Sequence, residues 1–284
     1  VSRSKQILLL GSAGYLGREL TAQLQQTCEV IPTHRSAAHF AHSVRYDFWT
    51  DEIYPLLEQH HIDTVVIAAA MAYEAANPAY DFATLRLQAT RLIQACRSCR
   101  VIYISSDGIF DGKQGKYTET DMPAPTTPYG RNLQCFEEIV QKLCADFCII
   151  RPSYLYGYSL GNLDHRLNNL RKHLLAGDTL SYFTNMLKSP LAVMQAAPAI
   201  SQLTCSPYVG IVHVAGPALS VYDFYRQAME ALHVPCQGLL PTRMLADAPY
   251  PADTSLDTSL MHKLLDIKVL SVPEALARQD SQRT

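Results

Sequence analysis

Three glycines set the frame of this chain. Gly11, Gly14 and Gly17 recur every third residue between an apolar run, Gln6–Gly11, and an amphipathic stretch, Gly14–Gln26. The first reads as a buried strand and the second, from its apolar spacing, as a helix. Glycine admits backbone angles closed to other residues and lets a pyrophosphate approach the main chain. The helix start then offers N–H groups that the helix itself leaves unpaired, and these favour an anion. In this context G-x-x-G-x-x-G reads as the phosphate-binding turn of a dinucleotide site; the alternative is a tight strand–helix turn with no ligand.

The same alternation continues through the first half. Glu29–Pro32, Asp63–Ala70, Arg100–Ser106 and Asp146–Pro152 read as strands. Thr50–His61, capped by Thr50 or Asp51, reads as a helix, as do Pro78–Ser98 and Asn132–Leu143. Continuous apolar strands separated by helices imply a parallel sheet covered on both faces. Beyond Pro152 the pattern loosens. Ile211–Gly216 still reads as a strand, Ser220–His233 as a capped helix and Pro241–Asp257 as loop. The expected division is a dinucleotide-binding unit of residues 1–151 and 186–219 and a smaller, loop-rich substrate lobe of residues 152–185 and 220–284.

Charge and cysteine usage exclude several function classes. Lys plus Arg is 24 against 26 Asp plus Glu, so no basic excess points to nucleic acid or an anionic membrane. The longest apolar run, Val65–Ala72, is too short to cross a bilayer, and glycines interrupt the apolar N-terminal stretch, so neither a membrane span nor a signal peptide is expected. The eight cysteines are scattered through apolar segments, which implies reduced, mostly buried thiols in a cytoplasmic protein. Cys96 and Cys99 form a lone C-x-x-C without a second pair, so the structural reading is favoured over a metal site. The pairs His39/His42 and His60/His61 lack partner ligands and read as surface residues.

Cofactor choice turns on the end of the second strand. An acid there would take the ribose 2′-hydroxyl of NAD. The segment is Thr33-His34-Arg35-Ser36, and Glu29 lies at the wrong end of the strand. The Arg35 guanidinium suits a 2′-phosphate and favours NADP(H); the alternative is an exposed loop arginine. Tyr15 and Leu16 within the turn and Ala69 near the end of the third strand complete the expected contacts.

Five stretches now stand in a telling order: Gly11–Gly17, Val65–Pro78, Tyr103–Arg131, Ile149–Gly157 and Val212–Gly216. Together they resemble the extended short-chain dehydrogenase/reductases, in particular the dTDP-4-dehydrorhamnose reductase-like branch, which also includes the regulatory β subunit of methionine adenosyltransferase. "SSDGIFDG" followed by "PYGR" is the most specific part. The resemblance implies a doubly wound, Rossmann-type α/β domain with a smaller C-terminal substrate lobe. It implies Tyr129 and Ser106 as the catalytic pair, Asp47 near the adenine, and Arg151, Pro152 and Ser153 flanking the nicotinamide. A small-molecule substrate follows, and a homodimer or a regulatory partner protein is left open.

The departures from the family are equally definite. Leu133 stands where the family keeps a lysine four residues after the tyrosine. Arg86 stands where the helix usually carries asparagine, Gln195 where aspartate is common, and no Arg-Pro pair occurs around Pro251–Leu256. A cation near the tyrosine stabilises its phenolate. Its loss should impair alcohol oxidation, which needs the phenolate, more than carbonyl reduction, which uses the neutral phenol. Arg131 is spaced to point elsewhere on a helix, whereas Lys113, Lys116 and Lys188 lie in loops that could fold back. Leu133 is equally explained as an apolar residue packed on the sheet. Two readings stay open: an NADP(H)-dependent reductase of a carbonyl, by resemblance a 4-keto nucleotide-sugar, and a nucleotide-binding regulatory subunit of little activity.

Overall fold

Alternate residues of the first strand point into different cores. Leu8 and Leu10 join one apolar cluster, Ile7 and Leu9 another, and all four are almost fully buried. That is the period-two geometry of a strand covered on both faces. The computed structural model describes residues 4–74 and 81–281. Seven strands form one sheet: β1 (Gln6–Leu10), β2 (Glu29–His34), β3 (Val44–Arg45), β4 (Thr64–Ile67), β5 (Arg100–Ile104), β6 (Phe147–Pro152) and β7 (Gly210–Val214). Their spatial order is 7-6-5-4-1-2-3, and every neighbouring pair is parallel. The chain thus winds outward from β1 in both directions, and the crevice at this reversal is where open α/β sheets bind ligands.

The helices are α1 (Tyr15–Leu24), α2 (Tyr54–Gln59), α3 (Met71–Glu74), α4 (Phe82–Ala95), α5 (Pro128–Leu143), α6 (His165–Leu175), α7 (Val193–Cys205), α8 (Val221–Ala231), α9 (Ser259–Leu264) and α10 (Val272–Ser281). Leu57 of α2, Leu85 of α4 and Phe136 of α5 fill one face of the sheet. Leu20 of α1, Ile200 of α7 and Met261 of α9 fill the other. A third core gathers Tyr156, Leu170 of α6, Phe224 of α8 and Leu276 of α10 away from the sheet. The α/β architecture is therefore doubly wound, with a smaller lobe built largely from the later chain.

Several elements begin or end away from their expected limits. β2 runs two residues past Pro32, which carries its backbone to the rim of the glycine turn. The helix expected over residues 50–61 is shorter, because the Asp51 carboxylate accepts from Asp47 N (2.8 Å) and pairs with Arg45 (2.9 Å) instead of capping the helix. The helix expected from Pro78 is described from Phe82, capped by Asp81, whose carboxylate accepts from Thr84 N (2.6 Å); residues 75–80 lie outside the described residues. The strand expected over residues 63–70 ends at Ile67, which leaves Ala68–Ala70 as a loop. A strand of residues 239–242, paired in parallel with residues 180–183, takes in the first two residues of the expected loop Pro241–Asp257.

Candidate active site

A groove opens at the sheet's reversal point, with its first part, about 420 Å³, over the glycine turn. Gly11 sits at φ +89°, and a side-chain carbon there would lie 2.6 Å from the Ala69 backbone. A carbon on Gly17 would collide with the Gly11 carbonyl oxygen. These glycines let the turn, α1 and the Ala68–Ala70 loop close together. Gly14 is the α1 N-cap and supplies no capping side chain, so the helix start is left to an outside acceptor. Tyr15 and Leu16 line the groove, and the Tyr15 hydroxyl donates to Gly157 O (2.8 Å). Burial pushes this phenol far above its ordinary range, so it serves as a neutral donor. Thr33 and Ser12 brace the turn beneath: Ser12 Oγ donates to Thr33 O (2.7 Å) and Thr33 Oγ1 to Leu9 O (3.1 Å).

Arg35, Asp47 and Ala69 also line this part. Arg35 is half exposed and pairs with Glu74 (2.7 Å), and the Trp49 indole N–H donates to the same carboxylate oxygen (3.2 Å). The sequence reading missed Glu74 because it follows β4 rather than β2, where the discriminating acid was sought. Asp47 accepts from Trp49 N (3.0 Å), a short local bond that shapes the groove wall.

The groove continues past Ala68–Ala70 into a second part of about 650 Å³. Tyr129 and Ser106 meet there. The Thr127 hydroxyl caps α5 by accepting from Gly130 N (3.0 Å), so the helix starts at Pro128 and places Tyr129 in its first turn. Gly130 has no room for a side chain: a carbon there would strike Gly108 O and lie 2.7 Å from Pro125. Burial raises the Tyr129 phenol above its ordinary range; the neighbouring Ser106 hydroxyl opposes the rise, and the Asp107 charge adds to it. The Tyr73 ring packs edge-on against Tyr129, with centroids 6.1 Å apart.

Around Ser106 lies a polar cluster that joins Ser153 and Lys188, both singled out from the sequence, to Asp107 and Thr254, which were not. Ser106 Oγ donates to Asp107 Oδ1 (2.9 Å). Asp107 Oδ2 accepts from Thr254 Oγ1 (2.6 Å), Lys188 Nζ (2.8 Å) and Ser153 Oγ (3.1 Å). Lys188 Nζ also donates to Thr254 Oγ1 (2.7 Å), and its side chain is 26% exposed. Burial pushes the Asp107 carboxyl up, but Lys188 and the hydroxyl donors outweigh it and hold the group below its ordinary range. Leu133, one helical turn after Tyr129, is buried in the core beside the sheet and also lines this end of the groove.

Other residues singled out from the sequence have structural surroundings. Arg151 belongs to the floor beneath the groove: it is buried against Glu137 (2.6 and 3.0 Å) and its cationic carbon lies 5.4 Å from the Phe110 ring centroid. Ser153, by contrast, lines the groove. Lys113 is exposed beside Asp111 (3.3 Å), Arg86 is exposed on α4, and Arg131 reaches back to Thr126 O (3.5 Å). Gln195 bridges Lys268 O (2.8 Å) and Leu270 N (3.0 Å), tying α7 to the chain before α10. Burial raises the Cys96 and Cys99 thiols, which are poor metal ligands while protonated. Among the described residues no group of three or more His, Cys, Asp or Glu side chains is placed to hold a metal ion, and no helix is long and apolar enough to cross a membrane.

Known proteins share this fold. Residues 5–281 match the family described as the RmlD substrate binding domain. The chain belongs to that family. It is 29% identical over 235 residues to the spore coat polysaccharide biosynthesis protein SpsK of Bacillus subtilis, covering 79% of this chain and 78% of the relative. It is 25% identical over 162 residues to methionine adenosyltransferase 2 subunit beta of Rattus norvegicus, covering 54% and 48%. A structure described as a hypothetical dTDP-4-dehydrorhamnose reductase from Sulfolobus tokodaii superposes with a TM-score of 0.82 at 25% identity, covering 95% of this chain and 98% of that one. The NADP complex of dTDP-4-dehydrorhamnose reductase from Bacillus anthracis str. Ames has the same fold, with a TM-score of 0.82 at 19% identity, covering 99% and 100%. Membership of the extended short-chain dehydrogenase/reductase group, expected from the ordered motifs, is thereby established.

Proposed function

We propose that this RmlD-family chain is an NADP(H)-dependent reductase of a carbonyl on a small molecule, a 4-keto nucleotide-sugar or a related metabolite. The observation that carries the reading is the meeting of Tyr129 and Ser106 at the far end of a groove that begins at an uncapped, glycine-lined helix start. That start and the close-packed turn fit a dinucleotide. Gly11, Gly14, Tyr15, Leu16 and Gly17 would hold its pyrophosphate and Arg35 a 2′-phosphate, with Asp47 and Ala69 along its length and Ser153 near the reacting end. The bound cofactor supplies a hydride. The protein's part is acid catalysis and polarisation: Tyr129, neutral at working pH, donates its proton to the carbonyl oxygen, and Ser106 donates a hydrogen bond to the same atom. Residues 1–151 and 186–219 would form the nucleotide unit and residues 152–185 and 220–284 the substrate lobe, with the site between them. Being named for reductases and polysaccharide biosynthesis, the relatives support this class of substrate.

A regulatory subunit of little activity is the second reading. Leu133 and the similarity to the methionine adenosyltransferase subunit favour it. The two are separated by following NADPH absorbance with a panel of 4-keto nucleotide-sugars and simple ketones. The reductase should consume NADPH, and Tyr129→Phe should lower the rate at least ~100-fold, the usual contribution of a general acid. NADPH binding without consumption of any ketone would select the regulatory reading.

A further inference from the structure

Leu133 removes the cation that the family pattern places beside the tyrosine, yet a cation is present in the site. It comes from a later segment of the chain. Lys188 lies in the short strand of residues 187–188, which pairs with residues 219–220, and its ammonium reaches Asp107. Three links connect it to the phenol. Lys188 Nζ donates to Asp107 Oδ2 (2.8 Å), Ser106 Oγ donates to Asp107 Oδ1 (2.9 Å), and Ser106 and Tyr129 line the same end of the groove.

We propose that Lys188 is the positioning cation of this site: by neutralising Asp107 it offsets a buried negative charge beside Tyr129 and takes over the electrostatic part of the role left vacant by Leu133. The proposal rests on the reductase reading for its catalytic consequence, but not for its electrostatic one. Asp107 is buried, and its charge opposes phenolate formation at Tyr129. An unscreened carboxylate there would make the phenol a weaker acid at the moment it must release its proton. Thr254, Ser153 and Ser106 still donate to the carboxylate when Lys188 is removed, so Asp107 keeps hydrogen bonds that favour its ionised form. The other ionisable groups lining this end of the groove are Tyr103 from β5, Tyr73 from α3, and Tyr154 and Arg166 from the later chain, with Ser105 and Thr127 as further polar residues. Among them Arg166 is the one further cation, and it is committed to the Tyr154 ring, 3.6 Å from the centroid.

The test needs no turnover in its first arm. The tyrosinate absorbance of the cofactor-free protein is titrated, and the Tyr129 transition is isolated by subtracting the same titration of Tyr129→Phe. Lys188→Met should move that transition to higher pH, Asp107→Asn should move it to lower pH, and Lys188→Arg, which keeps the charge, should leave it in place. A purely structural contact would not give opposite shifts. An unmoved transition in both variants, or shifts of the same sign, overturns the proposal. Should Lys188→Met fail to fold by thermal melting, Asp107→Asn and Lys188→Arg still decide.

The second arm measures NADPH oxidation with the ketone panel. Lys188→Met should lower kcat about tenfold at pH 7 with KM within about threefold, and Lys188→Arg should restore the rate. A fall confined to KM overturns the proposal. If the wild-type protein consumes no NADPH at all, it is the reductase reading that fails, and the titration alone judges Lys188.

Discussion

Arg35 and Glu74 show how one residue can be right in type and incomplete in context. A guanidinium stands where a 2′-phosphate would be met, but a carboxylate already engages it at 2.7 Å. A 2′-phosphate bound there would compete with Glu74 for the same donors. Glu74→Gln should remove the competing carboxylate charge and tighten NADPH relative to NADH, whereas Arg35→Ala should weaken NADPH roughly 10- to 100-fold, the range for a lost charged hydrogen bond. NADH should change little in either variant. Fluorescence titration with both nucleotides reads all four constants, and equal effects on NADH and NADPH would remove Arg35 from the 2′-phosphate site. Tyr129 and Ser106 were singled out through the family resemblance that "SSDGIFDG" and "PYGR" carry, and both line one end of the groove. Lys188 was named among three loop lysines that could fold back but was not distinguished from Lys113 and Lys116, and Thr254 and Glu74 were not foreseen, because each reaches the groove from a segment whose path depends on tertiary packing.

At the level of elements, the strands were the most legible part of the chain. β1, β4, β5 and β6 are buried on both faces, and their uninterrupted apolar runs encode that directly. Helix starts were less so, since a cap is a choice among nearby polar groups. Asp51 serves Asp47 and Arg45 rather than α2, while Thr127 begins α5 earlier than the apolar spacing alone suggested. That early start matters for chemistry because it puts Tyr129 on the helix. Gly130 makes the start possible by letting α5 press against the Gly108 carbonyl. Gly130→Ala should therefore destabilise the fold by roughly 1–3 kcal/mol, the usual range for overpacking, and should also depress turnover by displacing Tyr129. Urea unfolding measures the first effect and NADPH oxidation the second; a neutral Gly130→Ala would mean the helix start shifts freely. The short paired segments of the smaller lobe, such as residues 180–183 with 239–242, carry too few residues for a period to be read.

Over the whole molecule, the pH dependence of stability should carry the signature of a histidine in the sheet. His213 of β7 is fully buried; its Nδ1 lies 3.1 Å from Asp257 O, and its Nε2 has no hydrogen-bond partner among the described residues. Burial and the nearby Arg151 charge lower its pKa from 6.5 to about 4. Protonation would place a second cation beside Arg151 and leave a new N–H donor unpaired. Between pH 6.5 and 4 the unfolded chain thus binds a proton that the folded chain resists, so stability rises with pH through that window and falls as pH drops through it. The full cost of reaching the acid side is about 3 kcal/mol from this one group. Asp121 and Asp257, whose carboxyls are held low chiefly by backbone hydrogen bonds from Thr118 and Ser259, add their own loss at more acidic pH. Urea unfolding of the wild type and of His213→Gln at a series of pH values separates the contributions. Wild-type stability should climb between pH 4 and 6.5 more steeply than that of the variant, which carries no titrating ring there. Matching slopes would show that His213 takes up its proton without strain and that the sheet tolerates the charge beside Arg151.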